Sequence, residues 1–179
     1  MRDKKKKDGI KPDKLLIAKA EALLETERKP FVREYEDFNL IHKAAWRGNN
    51  KCLLMAIEAG IEDVDLKDSR GWTALHNAVW REEPQCVKTL LDAGADVNAV
   101  NINGDTPLHL ASLYDQIEEA LLLVNAGADI NIRDNSDMTA IEIAVQSNHT
   151  EWAKTIADSR KLRAEDTKEA ADTGYEFDI

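Results

Sequence analysis

The chain has 179 residues, 43% of them hydrophobic, so it is long enough to bury one extended core. It carries 34 acidic against 24 basic residues, a formal net charge of −10, and an acidic body is not expected to read nucleic acid directly. No apolar run approaches the roughly 20 residues of a membrane helix, and the charged N-terminal stretch lacks a secretory core. We therefore expect a cytoplasmic protein, with the nucleus as the alternative.

The first predicted element is a helix that follows a basic head. Residues 1–12 form the head, which is either a solvated tail or, through its lysine run, a nuclear-import patch or a contact for an anionic surface. Asp13 is a typical N-cap, and apolar residues at helical spacing predict an amphipathic helix over 13–29. This helix either caps the segment that follows or docks into a groove of a partner. The stripe expected to make the packing contact is Leu16, Ala20 and Leu23.

A short pattern then recurs at a fixed period. The stretch Gly104-Asp105-Thr106-Pro107-Leu108-His109-Leu110-Ala111 has counterparts around Thr73 and Thr139, and the three threonines are 33 residues apart. A fixed period of this size indicates a stacked repeat protein. The pattern resembles the ankyrin repeat, which implies an all-α solenoid with a β-turn and two helices in each unit.

The resemblance divides the middle of the chain into four repeats. We place them at 37–69, 70–102, 103–135 and 136–163, the first being divergent and the fourth serving as the C-terminal cap. The acidic segment 164–179 contains few apolar residues, so we expect it to be disordered when free.

The repeated positions have local physical roles. The threonines are expected to be helix N-caps, and Gly60, Gly94 and Gly127 are expected to end the second helices in the left-handed conformation. In the ankyrin family the histidine at this position hydrogen-bonds to the turn. The resemblance implies the same structural role for His42, His76 and His109, and not metal binding. Glu142 stands at this position in repeat 4 and is expected to loosen the turn.

Three further residues are expected to lie in the core. Cys52 and Cys86 are expected to be reduced thiols, and Trp152 is expected to plug the open end of repeat 4.

The sequence offers no catalytic constellation. It has no nucleophile elbow, no phosphate-binding loop and no zinc-spaced Cys or His pair. Its carboxylates are scattered over positions expected to face water. We therefore predict a protein that is not an enzyme and uses no cofactor or metal.

The candidate site is the face that ankyrin arrays use for partners. The resemblance places it on the hairpin tips and first helices, where the dipeptide Trp-Arg occurs twice in register. Trp, Tyr and Arg are enriched at binding hot spots. In the alternative interpretation the indoles only pack against neighbouring repeats or against the linker around Tyr35. The predicted protein-binding residues are Phe38, Trp46, Arg47, Trp72, Trp80, Arg81, Asp105, Leu113, Tyr114 and Met138.

Three functions remain open from the sequence. The first is an adaptor or regulatory subunit that holds a protein partner on this face. The second is a permanent structural component of a large cytoskeletal or ciliary assembly, a setting in which a larger complex would order the tails. The third is an inhibitor of a transcription factor or an enzyme. The fold alone does not choose among them, because function is carried by the site.

Overall fold

The computed structural model describes residues 13–26, 39–60 and 63–159. The basic head, the acidic tail and the predicted site residue Phe38 lie outside these ranges. The chain divides into two compact units, Met1–Asp96 and Val97–Ile179.

Helices account for nearly all the regular structure in the described residues. The first unit contains α1 (Lys14–Thr26), α2 (Leu40–Arg47), α3 (Asn50–Glu58), α4 (Ala74–Trp80) and α5 (Pro84–Asp92). The second unit contains α6 (Pro107–Leu113), α7 (Ile117–Asn125), α8 (Ala140–Gln146) and α9 (helical residues 150–159). The only bridge of β type in this part of the chain joins Arg133 to Thr139. The all-α helix-turn-helix repeats predicted from the sequence are confirmed.

Each first helix begins at the residue that the repeat pattern predicts. Thr73 and Thr106 accept hydrogen bonds from the backbone N–H groups of His76 and His109, and each histidine Nδ1 accepts one from the threonine N–H. This reciprocal capping box satisfies two backbone donors that a helix start leaves unpaired. The expected structural role of the histidine position is thus seen at both residues.

Repeat 4 corrects one expectation, because Glu142 does not loosen its turn. Its carboxylate accepts hydrogen bonds from the N–H and hydroxyl of Thr139 at 2.8 and 3.0 Å, so it caps the helix as the histidine does in the preceding repeats. Arg133 also bonds to this carboxylate, at 3.0 Å. The hydrogen bonds from Thr139, followed by Arg133, lower the pKa of Glu142.

The turn between the two helices of each repeat needs a left-handed residue. Gly48 fills this position in repeat 1 with φ +67°. Glu82, Asp115 and Asn148 fill it in the later repeats with φ between 58° and 65°. Most residues with a Cβ adopt this conformation at a cost of roughly 1–2 kcal/mol, whereas Asn and Asp adopt it more readily, so the strain is greatest at Glu82. Gly48 also leaves room for the carboxyl group of Glu83, which would clash with any Cβ at that position.

The N-terminal helix packs on repeat 1. Ala20 and Leu24 of α1 are buried, whereas Leu16 and Leu23 of the expected stripe are only half-buried. The buried thiol of Cys52 donates to the carbonyl of Ala20 at 3.2 Å. The helix therefore contacts α3 through the face that Ala20 and Leu24 share, one turn apart.

Both cysteines are free thiols in the core, as expected. Cys86 is fully buried, and burial followed by the nearby Glu83 raises its pKa to about 12. The thiol consequently stays neutral over the physiological pH range.

Trp152 corrects a second expectation. It is completely buried, but its indole N–H donates to the carbonyl of Gln116 at 3.2 Å, so the ring faces repeat 3 and does not cover the open end of repeat 4. Its position in register is also that of Cys52, which faces the preceding helix α1 in the same way. The outward position of α8, Val145, remains 59% exposed.

Candidate functional site

Three tryptophans of the first unit lie in contact with one another. The ring centroids of Trp46 and Trp80 are 4.7 Å apart, and those of Trp72 and Trp80 are 5.7 Å apart at nearly a right angle. Such separations are typical of favourable aromatic pairs. All three rings are half-buried, in contrast to the fully buried Trp152, so each keeps part of its surface in solvent.

An arginine covers each outer ring of this group. The guanidinium carbon of Arg81 lies 5.0 Å from the Trp46 ring centroid, and that of Arg70 lies 4.8 Å from the Trp72 ring centroid. Both distances fall within the roughly 6 Å at which a cation is attracted to an aromatic face. The order of the stacked groups is Arg81, Trp46, Trp80, Trp72 and Arg70, and we call these five residues the tryptophan ladder.

Helix ends hold the first half of the ladder. Trp46 and Trp80 lie in the last turns of α2 and α4, helices that pack side by side in neighbouring repeats. The side-chain Nε of Arg81 donates to the carbonyl of Trp46 at 3.2 Å. That carbonyl belongs to the last turn of α2, where no partner within the helix is available. The bond therefore caps α2 and orients the guanidinium over the Trp46 ring.

The hairpin tip holds the other half. The buried carboxylate of Asp68 accepts hydrogen bonds from the N–H groups of Arg70 and Trp72 at 2.9 and 2.7 Å. The Arg70 side chain bonds to the same carboxylate at 2.9 and 3.1 Å. The Trp72 carbonyl accepts a hydrogen bond from Nε2 of His42 at 3.0 Å. These bonds fix the backbone of the hairpin tip that carries the Trp72 side chain.

The sequence did not single out Arg70. The sequence does contain a pattern that could have found it: Arg70 lies two residues after Asp68, a residue type that favours turns, and two residues before Trp72.

Arg47, the arginine of the other Trp-Arg dipeptide, has a different position from Arg81. Arg47 donates to the carbonyl of Leu24 at the end of α1, and it is half-buried. The structure therefore places Arg47 between α1 and α2 and gives it a capping contact. It is not among the groups that stack on the tryptophans.

The remaining predicted residues lie in the second unit. Leu113 and Tyr114, at the end of α6, are 46% and 47% exposed. Asp105 is engaged in its own turn, where its carboxylate accepts a hydrogen bond from the Asn101 amide at 3.1 Å. Met138 is half-buried, and its carbonyl accepts a hydrogen bond from Nε2 of His109 at 3.1 Å. Within this unit, Leu113 and Tyr114 are the members that present apolar surface to solvent.

Among the residues that the structure describes, no group of three or more His, Cys, Asp or Glu side chains is placed to hold a metal ion. Across the same part of the chain, no helix has the length and apolar character needed to cross a membrane.

Comparison with known proteins identifies the repeats. Residues 14–101 match the family model for ankyrin repeats in three copies, and residues 90–144 match the model for ankyrin repeats in many copies. The first match begins at α1, which indicates that this helix is similar to part of a repeat.

Among curated proteins, the chain is similar to protein phosphatase 1 regulatory subunit 27 of Homo sapiens and of Mus musculus, with 36% identity over 67 residues. That similarity spans 37% of this chain and 43% of each relative. The helix-turn-helix repeats, their capping boxes and the family matches together show that the chain belongs to the ankyrin-repeat family.

Proposed function

We propose that this chain is a non-enzymatic adaptor or regulatory subunit that binds a protein partner through the tryptophan ladder. One observation carries the proposal: three of the four tryptophans contact one another and remain partly exposed, while the fourth is fully buried. A core that needed large apolar side chains would bury them, as it buries Trp152. Half-exposed indoles are typical of a surface that binds another protein.

The ladder is also preorganised for binding. Hydrogen bonds hold the backbone at Trp46 and Trp72, and stacking holds the rings. Ordering a loose side chain at an interface costs about 0.5–1.5 kcal/mol. Because these rings are ordered before a partner arrives, little of that cost falls on binding. Leu113 and Tyr114 supply exposed apolar surface of the same kind in the second unit.

The family and the similar curated proteins support a regulatory role. Ankyrin repeats are protein-interaction units, and the names of the two relatives describe a regulatory subunit of a phosphatase. For this chain we propose the same general class, a non-catalytic subunit that acts by holding another protein. A permanent place in a large assembly is the competing proposal. Size-exclusion chromatography of native cell extracts separates the two: a small, exchangeable complex supports the adaptor, and a stable megadalton pool supports the structural component.

The direct test is site-specific crosslinking in cells. A photoreactive amino acid replaces Glu82, which is exposed and follows Arg81 directly in the chain, or Leu54 as the control, since Leu54 is 43% exposed on α3 and lies outside the tryptophan ladder. Proteins captured from the Glu82 position but not from the Leu54 position are identified by mass spectrometry.

The affinity of each captured partner is then measured with purified variants. We expect Trp80→Ala to weaken binding by about 2 kcal/mol or more, as for a hot-spot residue, and Leu54→Ala to leave it unchanged. Circular dichroism and thermal melting establish that both variants are folded. Full binding by a folded Trp46→Ala/Trp80→Ala variant would refute the proposed site.

A further inference from the structure

The two arginines of the tryptophan ladder differ in one respect. Arg70 stacks on Trp72 and is neutralised by Asp68, whose carboxylate lies 2.9 Å away. Arg81 stacks on Trp46 in the same manner, yet among the described residues it has no carboxylate within ion-pair distance. This is notable in a chain with ten more acidic than basic residues.

The bonds that Arg81 does make leave part of its guanidinium available. Nε is engaged by the Trp46 carbonyl, and one face lies on the Trp46 ring. The two terminal amino groups have no hydrogen-bond partner in the part of the chain that the structure describes, and the side chain is exposed. A guanidinium with fixed orientation and free amino groups is suited to bind a planar carboxylate through two parallel hydrogen bonds.

A cationic ligand does not fit the same place. Trp80 contacts Trp46 and Trp72 at centroid distances of 4.7 and 5.7 Å, so these neighbouring rings pack directly on each other and do not enclose a cation between them. Arg81 already occupies the cation position over Trp46. An additional ammonium group there would also be repelled by the guanidinium.

Together these observations define the chemistry of the partner. We propose that the ladder binds an acidic peptide segment, in which a Glu or Asp side chain pairs with Arg81 and a neighbouring apolar side chain packs on Trp80. This inference rests on the proposed function and specifies the partner for that site. The arrangement would repeat, between two proteins, the pairing that Asp68 and Arg70 make at the hairpin tip.

The test uses the full chain and a defined set of synthetic peptides. Each twelve-residue peptide carries one Glu and one Leu, separated by one to three residues in a Gly/Ser background. Matched peptides replace Glu with Gln, Lys or phosphoserine. Binding is followed by tryptophan fluorescence, because Trp46, Trp72 and Trp80 report from the site while buried Trp152 supplies a constant background. The protein variants are Arg81→Gln and, as a control for the lost charge, Lys88→Gln at an exposed position of α5.

We expect at least one Glu peptide to bind tenfold or more tightly than its Gln and Lys counterparts. Arg81→Gln should abolish this preference, and Lys88→Gln should retain it. Equal affinity for Glu and Gln peptides, a response only to phosphoserine, or the absence of binding by every Glu peptide would overturn the inference.

The same variants separate this inference from the proposed function. If a partner captured in cells loses affinity for Trp80→Ala but binds Arg81→Gln as tightly as wild type, the ladder is an interaction site and its carboxylate specificity is wrong. If neither variant affects that partner, the proposed function itself fails.

Discussion

Replacement of Trp152 by alanine tests how the second unit is held together. The indole is fully buried, and its N–H bonds to the Gln116 carbonyl at 3.2 Å. Burial of a tryptophan removes about 150–250 Å² from water, which at about 25 cal/mol per Å² corresponds to roughly 4–6 kcal/mol as an upper estimate. Measured large-to-small changes of this type cost about 3–5 kcal/mol, and we expect Trp152→Ala to lie in that range.

The variant Trp152→Phe divides this loss into its parts. Phenylalanine keeps most of the apolar volume but cannot donate to Gln116, so we expect a smaller loss, with about 1 kcal/mol arising from the hydrogen bond. Urea denaturation gives the free energies, and hydrogen exchange locates the change. Because repeats contact mainly their neighbours, protection should fall first in α8 and α9 while α2 and α4 stay protected. A cost below about 1 kcal/mol for Trp152→Ala, or a uniform loss of protection across all helices, would refute this reasoning.

Three further predictions address the caps and turns. Glu82→Gly should raise the free energy of unfolding by about 0.5–1 kcal/mol in urea titrations, because glycine relieves the left-handed strain; a destabilised variant would contradict this. The lowered pKa of Glu142 means that its contribution is present above the unfolded-state pKa and lost as pH falls through the lower folded value. Glu142→Gln should therefore flatten the acid side of the stability–pH profile, and an unchanged profile would show that the carboxylate does not contribute. Deletion of residues 1–29 should lower the Tm by several degrees, since it uncovers Cys52; an unchanged Tm with lost partner binding would make α1 a docking element.

Much of the fold followed from the sequence because its causes are local. The 33-residue spacing of Thr73, Thr106 and Thr139 located three helix starts, since a threonine hydroxyl caps the helix that immediately follows it. Positive φ at Gly48 and Gly60 also follows from short-range backbone sterics, which favour glycine there. These features depend on residues a few positions apart, so one sequence is enough to predict them.

Contacts between repeats were decided only by the tertiary structure. The bond between Arg133 and Glu142 is one such contact. The hydrogen bonds between Thr139 and Glu142 are local by contrast, and they form the capping box that a Thr-x-x-Glu pattern predicts. Helical periodicity predicts that Trp152 is buried, whereas the repeat that its indole faces depends on how neighbouring helices pack.

The tryptophan ladder shows the same division. The sequence determined that Trp46 and Trp80 occupy equivalent positions in adjacent repeats, and the order of those repeats brings the two positions close together. It did not determine that Arg81 lies over Trp46 while Arg47 turns back to α1. The two arginines share a register, but Arg47 donates to a carbonyl at the end of α1, and Arg81 donates to a carbonyl at the end of α2. Which carbonyl each guanidinium reaches depends on how the helices pack, and only the folded chain sets that distance.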